Sequence, residues 1–151
     1  MIKNVERKLI SIILAVLFLF LPVFSVSSNA LDAVFFNVIS ISVPEDTTQA
    51  VVTICITQNS GYAGADIRII SDLAILSIKP IGINAVSNIN SGSVNWCTAT
   101  NDYHTGDIMQ VAFSIPSNSK SGDHWPVSIQ INEIIDENLN TVQTQVNSGE
   151  I

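Results

Sequence analysis

Asp66 and Arg68 are the residues of this sequence whose types and spacing best suit the recognition of another molecule. They alternate with Ala65, Ile67 and Ile69 at the two-residue period of a half-buried β-strand. The apolar set then faces a core, while the outward pair combines a hydrogen-bond acceptor with a forked donor. A charged pair in mid-strand is disfavoured by β-propensity, so the pattern indicates either a recognition surface or an ordinary solvated face.

The residue types that most often perform catalysis are not arranged as a catalytic set. His104 and His124 fall in segments expected to be loops, without a nucleophile motif or a carboxylate at a suitable spacing. Cys55 and Cys97 also lie outside any known nucleophile setting, and the His and Cys spacing of a metal site is absent. We therefore expect a protein that is not an enzyme and that has no cofactor.

A short acidic run resembles part of a calcium-binding loop. Asp136, Asn138 and Asn140 match the first, third and fifth positions of an EF-hand loop. The sixth position is Thr141 rather than glycine, and the twelfth is Asn147 rather than glutamate. We expect a hairpin turn without a metal, because Asp and Asn favour such turns.

The first thirty residues have the composition of a signal peptide. Basic residues precede an apolar run over 9–26, and Ser28, Asn29 and Ala30 supply small residues at a cleavage site. Cleavage after Ala30 would start the exported chain at Leu31 and make the protein secreted and extracellular. The apolar run is also about as long as the shortest membrane-spanning helices, so an uncleaved anchor is the alternative.

Removal of residues 1–30 leaves 121 residues (151 minus 30), which suits one domain, 31–151. Of the 13 acidic and six basic residues, 12 and three remain, giving a net charge of −9. Such a surface repels phosphate groups, so we expect neither nucleic acid nor an anionic membrane as a partner. Cys55 and Cys97 are expected on different sheets, hence as free thiols.

Short alternating runs recur about every ten residues, with Gly, Pro, Asn and Asp between them. They predict strands over 33–43, 50–58, 61–72, 74–78, 93–100, 107–115, 125–131 and 141–147, with 83–92 as a long loop holding at most a short edge strand. No apolar pattern keeps a helical period over three turns. The fold class is therefore all-β, a β-sandwich or jelly roll.

The order of these strands and turns resembles the cohesin modules of bacterial cellulosome scaffoldins. Cohesins open their third strand with a turn and a pattern that is matched here by Gly61, Ala63, Asp66, Ile67, Ile69 and Asp72. Further matches are Val94, Trp96, Thr105-Gly106-Asp107, Ser121-Gly122, Asp136, Asn138-Leu139, Ser148-Gly149 and Ile151. The resemblance covers most of 31–151 and implies a nine-stranded jelly roll that binds a dockerin, a small calcium-loaded module.

The resemblance also implies a binding surface on the sheet formed by the family's third, fifth, sixth and eighth strands. Asp66 matches an aspartate that hydrogen-bonds dockerin. Gly64 replaces an asparagine often found there, and Thr100 stands near an acidic contact of some members, so the type of dockerin is open. The expected contact residues are Gly64, Asp66, Arg68, Thr100, Gln110, Ala112, Ser114, Ser128, Gln130 and Asn132.

Such a surface also needs apolar anchors, since a few residues usually supply most of the binding energy. Ile70, Ile108 and Trp96 are available, although the alternation of Trp96 with Val94 favours the core for the tryptophan. The alternative function is a carbohydrate-binding sandwich acting on polysaccharide, which would need aromatic rings on an outward face. A structural subunit of a surface fibre is a third option, without a donor-strand or sortase motif to support it.

Overall fold

The structure, a computed structural model, describes residues 32–151. The predicted signal peptide, 1–30, and the predicted first exported residue, Leu31, lie outside the described residues, so the division at Ala30 stays a prediction. Across 32–151 the chain forms strands and no helix. Consequently no helix in that range could cross a membrane.

Ten strands follow one another along the described chain. They are β1 (Ala33–Val38), β2 (Gln49–Gln58), β3 (Tyr62–Ser71), β4 (Ile75–Pro80), β5 (Ala85–Asn88), β6 (Ser93–Asp102), β7 (Gly106–Ser114), β8 (Pro126–Ile135), β9 (Gln143–Asn147) and β10 (Gly149–Glu150). The first sheet has the order β4-β7-β2-β1-β9, and the second sheet the order β10-β8-β3-β6-β5. The β1–β9 pair is parallel, and the other pairs of named strands are antiparallel.

The core lies between the two sheets and is filled by the inward residues of both. In β7, Met109, Val111 and Phe113 are completely buried, and in β3 Ile67 is completely buried. Removing each such side chain from water contributes about 1.5–3 kcal/mol to folding. The two-residue alternation of the sequence therefore becomes two apolar faces packed against each other.

Tyr62 and Trp96 form a buried aromatic pair beneath the outer surface of the second sheet. Their ring centroids are 6.0 Å apart at an interplanar angle of 79°. Trp96 Nε1 donates a hydrogen bond to the Tyr62 hydroxyl at 3.2 Å. Burial raises the pKa of Tyr62 to about 12, Asp102 adds to the rise, and the Trp96 hydrogen bond opposes it. Trp96 therefore belongs to the core, as its alternation with Val94 predicts.

The all-β sandwich is confirmed, with ten strands where nine were expected. The segment 83–92 contains a real edge strand, β5, and the C-terminal residues add the two-residue strand β10. The predicted first strand is too long, since β1 ends at Val38 rather than at Val43. Ile39 N donates to Thr53 O in the first sheet, whereas Ile41 N donates to Glu150 O in the second. A segment that crosses between sheets cannot continue the pairing of either one.

Both cysteines are free thiols, as predicted. Cys55 lies in β2 of the first sheet and is buried, whereas Cys97 lies in β6 of the second sheet and is exposed. A bridge between the sheets would need both side chains to face the core, and Cys97 is exposed on the outer surface instead.

Candidate functional site

The outer surface of the second sheet carries the predicted pair Asp66 and Arg68. Antiparallel pairing places its outward residues in rows from β8 through β3 and β6 to β5. The rows are Ser128 and Ile70; then Gln130, Arg68, Ser93 and Asn88; then Glu133, Asp66, Asn95 and Val86; and finally Ile135, Gly64 and Cys97. We call this surface the Asp66 face.

Asp66 lies near the middle of this face and is partly exposed. A β-bulge in the pairing with β8, between Asp66 and Ile67, leaves Asn132 as an extra residue beside it. Asn132 Nδ2 donates to Asp66 Oδ1 at 3.3 Å, and Gln130 Nε2 donates to Asn132 Oδ1 at 3.2 Å. This chain of amides orients the carboxylate, which can still accept hydrogen bonds from a partner because a carboxylate has about four acceptor positions.

Arg68 is exposed one row further along β3. Its Nε donates to the carbonyl oxygen of Ser91 at 2.9 Å, and the Ser91 hydroxyl contacts the Ser93 hydroxyl at 3.0 Å. Between residues 32 and 151 no Lys or Arg side chain lies within 4.0 Å of a carboxylate, and the one His–carboxylate contact joins His124 and Glu150 at 3.9 Å. The guanidinium is therefore held by a neutral carbonyl group, and no carboxylate of the described residues forms an ion pair with it.

The structure contradicts the expected exposure of Gly64. Gly64 is buried, because the side chain of Ile135 from the adjacent β8 covers it. A Cβ atom at this position would come within 2.9 Å of Ile135 Cγ1. Ile135 therefore packs on Gly64, and the backbone of a partner could not approach this glycine closely.

The structure also contradicts the placement of Gln110, Ala112 and Ser114 on the same sheet as Asp66. These residues lie in β7, which pairs with β2 and β4 in the first sheet. The prediction counted 83–92 as a loop, so it assigned the family's sixth strand one strand too late. Gln110 and Ser114 are half-buried on the opposite side of the sandwich, and Ala112 is buried.

The strand that does border β3 is β6, and its outward residues were missed. Ser93, Asn95 and Cys97 lie beside Arg68, Asp66 and Gly64, respectively. The signal was present in the sequence, because Val94 and Trp96 alternate inward and so direct Asn95 and Cys97 outward. Val86, opposite Asn95 on β5, was not named, because 83–92 was treated as a long loop holding at most a short edge strand.

The remaining predicted contacts differ in position. Ser128 and Gln130 lie on the Asp66 face, although Ser128 is half-buried and its hydroxyl is 2.7 Å from that of Ser148. Thr100 is exposed in the last part of β6, where the register with β3 is interrupted. Whether these residues bind a partner stays a prediction.

Of the proposed apolar anchors, Ile70 is suitably placed, with 41% of its surface exposed on the Asp66 face. Ile108 is only 3% exposed and belongs to the core. It lies where a β-bulge interrupts the β2–β7 register, and the bulge removes the simple alternation used to place it. Val86, with 77% exposure, is another exposed apolar side chain on this face.

The run Asp136 to Asn140 forms the predicted turn. Asp136 Oδ1 accepts from the backbone N–H groups of Asn138 and Asn140, both at 2.8 Å, and Asp136 Oδ2 accepts from Asn140 Nδ2 at 3.0 Å. These bonds, those from Asn140 first, hold the pKa of the Asp136 carboxyl below its usual value. The described residues contain no group of three or more His, Cys, Asp or Glu side chains able to hold a metal.

Stacking surfaces for sugar are scarce on the described part of the chain. Tyr103 is the only aromatic side chain there among the exposed large apolar residues, while Tyr62 and Trp96 are buried and Trp125 is partly buried. A single exposed ring does not make the flat row of rings that polysaccharide binding usually requires.

Comparison with solved structures identifies the fold. The sixth cohesin of scaffoldin B from Acetivibrio cellulolyticus, solved in complex with the Cel5 dockerin, has a TM-score of 0.67 at 20% sequence identity, covering 78% of this chain and 96% of that one. The chain has the cohesin fold. The seventh ScaB type I cohesin from Pseudobacteroides cellulosolvens agrees, with a TM-score of 0.65 at 14% identity over 78% of this chain and 90% of that one.

The cohesin fold also occurs outside cellulosomes. A non-cellulosomal cohesin from the archaeon Archaeoglobus fulgidus has a TM-score of 0.61 at 16% identity, covering 78% of this chain and 88% of that one. No protein-family model matches the sequence, and no curated protein matches it significantly. The similarity to cohesins therefore lies in the fold rather than in overall residue identity.

Proposed function

We propose that this chain is a cohesin module that binds a dockerin through the Asp66 face and performs no catalysis. The observation that carries the proposal is the fold, because several of the similar structures are cohesins solved in complex with dockerins. The sequence resemblance, found independently in the spacing of Gly61, Asp66 and Asp72, leads to the same partner.

The Asp66 face supports this function physically. Its centre is polar, with Asp66 as acceptor and Arg68 as donor, and each is held by bonds within the chain. Pre-organised groups of this kind lose little side-chain entropy when a partner binds. Ile70 and Val86 lie on either side of that centre and supply apolar contact area. An amphipathic helix laid across the strands would meet both kinds of contact.

The biological setting follows from the same proposal. The chain would be exported and would act outside the cell, in an assembly of the cellulosome type or in a non-cellulosomal equivalent. Calcium would belong to the dockerin. Because a dockerin loses its fold without the metal, capture by this chain should be abolished by a chelator.

The experiment is a titration of this chain with a panel of purified, calcium-loaded dockerins. Gln130→Ala, on the Asp66 face, and Gln110→Ala, on the opposite sheet, remove the same side chain from the two surfaces. We expect Asp66→Ala to weaken binding by about 10- to 100-fold, as for one interface hot spot. Gln130→Ala should weaken it by a smaller factor, and Gln110→Ala should leave it unchanged.

Two results would overturn the proposal. If Gln110→Ala lowers the affinity for dockerin and Asp66→Ala does not, the binding surface lies on the first sheet instead. Failure to bind any dockerin, together with retention of the chain alone on insoluble polysaccharide, would favour the carbohydrate-binding alternative. Circular dichroism of each variant checks that the sandwich is intact.

A further inference from the structure

The outer surface of the first sheet is almost free of charge. Pairing places Val51 of β2 beside Ala112 of β7, and Ala112 beside Ser77 of β4. The next outward row contains Thr53, Gln110 and Lys79. We call the surface formed by these six residues, with the adjoining Ile39 and Leu76, the neutral face.

This absence of charge contrasts with the rest of the molecule. Residues 32–151 contain 12 acidic and three basic side chains, a net charge of −9. Lys79 is the only charged residue of the neutral face. Asp107 borders it beside Cys55, two residues along β2 from Thr53 or about 7 Å. Two copies of this chain therefore repel each other least when they approach through their neutral faces.

Apolar side chains cross the middle of the neutral face. Ile39, Val51 and Leu76 expose 40%, 45% and 47% of their surfaces, respectively. Ile39 directly follows β1, and its N–H group donates a hydrogen bond to the carbonyl oxygen of Thr53, close to Val51 along β2. Leu76 occupies an irregularity in the β4–β7 pairing beside Ser77 and Ala112. The result is a band of apolar groups across four strands.

The size of the surface also suits a dimer. β4, β7, β2, β1 and β9 together contain 36 residues, which at about 3.3 Å per residue and about 4.8 Å between strands cover about 570 Å². A stable protein–protein interface buries about 800 Å² on each partner. The sheet therefore offers somewhat less area than a stable interface buries, which suits a weak dimer.

We propose that two copies of this chain associate through their neutral faces. A second copy is the occupant that the charge distribution favours, because it brings a surface that carries only Lys79 as a charged residue and is apolar in the middle. The Asp66 faces then point away from each other on the two outer sides of the dimer. The association does not depend on dockerin binding, although such a dimer would offer two binding faces.

Sedimentation velocity of the full chain, expressed with its own leader and purified as the host processes it, tests this proposal. We expect a monomer–dimer equilibrium in the micromolar to millimolar range. Val51→Glu should shift it to monomer by at least tenfold in dissociation constant, because it places two like charges in the interface. Val86→Glu is the matched control, since Val86 is also exposed on a strand but lies on the Asp66 face.

The dependence of the dimer dissociation constant on salt concentration is an independent test. Added sodium chloride should strengthen the wild-type dimer, because it screens the repulsion between two copies whose residues 32–151 each carry a net charge of −9. A chain that stays monomeric at every concentration would overturn the proposal. So would a dimer that is disrupted by Val86→Glu and not by Val51→Glu. If Val51→Glu fails to fold, Leu76→Glu tests the same surface.

Discussion

The buried pair Tyr62 and Trp96 leads to a stability prediction that reverses with pH. Tyr62→Phe removes the hydroxyl that accepts the Trp96 Nε1 hydrogen bond at 3.2 Å. It leaves a buried N–H group without its partner, which costs about 1 kcal/mol. Near neutral pH the variant should therefore unfold about 1 kcal/mol more easily than the wild type.

At high pH Tyr62→Phe should become more stable than the wild type. The pKa of Tyr62 is raised from 10.0 to about 12 by burial. A raised pKa means that the neutral phenol is favoured in the folded state, so the wild type keeps its full stability below pH 10. It then loses about 2–3 kcal/mol as the pH rises from 10 to 12, and about 2 kcal/mol by about pH 11.5. Tyr62→Phe cannot ionise and escapes this loss, so it should be the more stable protein by about 1 kcal/mol there.

Urea unfolding followed by far-UV circular dichroism, at about pH 7.5 and about pH 11.5, measures both differences. Tyr103→Phe is the control, because Tyr103 is exposed. The reasoning would be refuted if wild type and Tyr62→Phe lost stability in parallel between these pH values. Parallel loss would mean that Tyr62 ionises equally well in the folded and unfolded states.

Two smaller predictions concern packing and the turn. Gly64→Val should destabilise the fold by about 1–3 kcal/mol in urea unfolding, because its Cβ would press on Ile135. Adding Ile135→Ala to this variant should restore part of the lost stability. No recovery in the double variant would count against the contact. Asn140→Ala should move the pKa of Asp136 up toward its usual value in an NMR titration, since the Asn140 side chain supplies the hydrogen bond that lowers it most. The stabilisation linked to Asp136 is present above the usual Asp pKa and is lost on acidification, so an unchanged pKa would show that the turn is held by other contacts.

Local pattern predicts the direction in which most strand residues point. In β3 and β7 the two-residue alternation identifies the inward residues Ile67, Val111 and Phe113, all completely buried. It also directs Asp66 and Arg68 outward. These features depend on geometry within a single strand, which the sequence carries in full.

The same local pattern fails where the strand is irregular or where a distant residue intervenes. Ile108 lies at a bulge in the β2–β7 pairing and turns inward, against the simple alternation. Gly64 is covered by Ile135, which is 71 positions away in the chain (135 minus 64). Neither the bulge at Ile108 nor the covering of Gly64 can be predicted from the neighbouring residues in the sequence.

The sequence by itself determined that this chain is an all-β sandwich, that it is strongly acidic, and that Asp66 and Arg68 share the outward side of one strand. Only the tertiary structure decided which strands border that pair, placing β6 beside it and β7 on the opposite sheet. The physical reason is that alternation is a property of one strand, whereas membership of a sheet depends on hydrogen bonds between segments far apart in the chain.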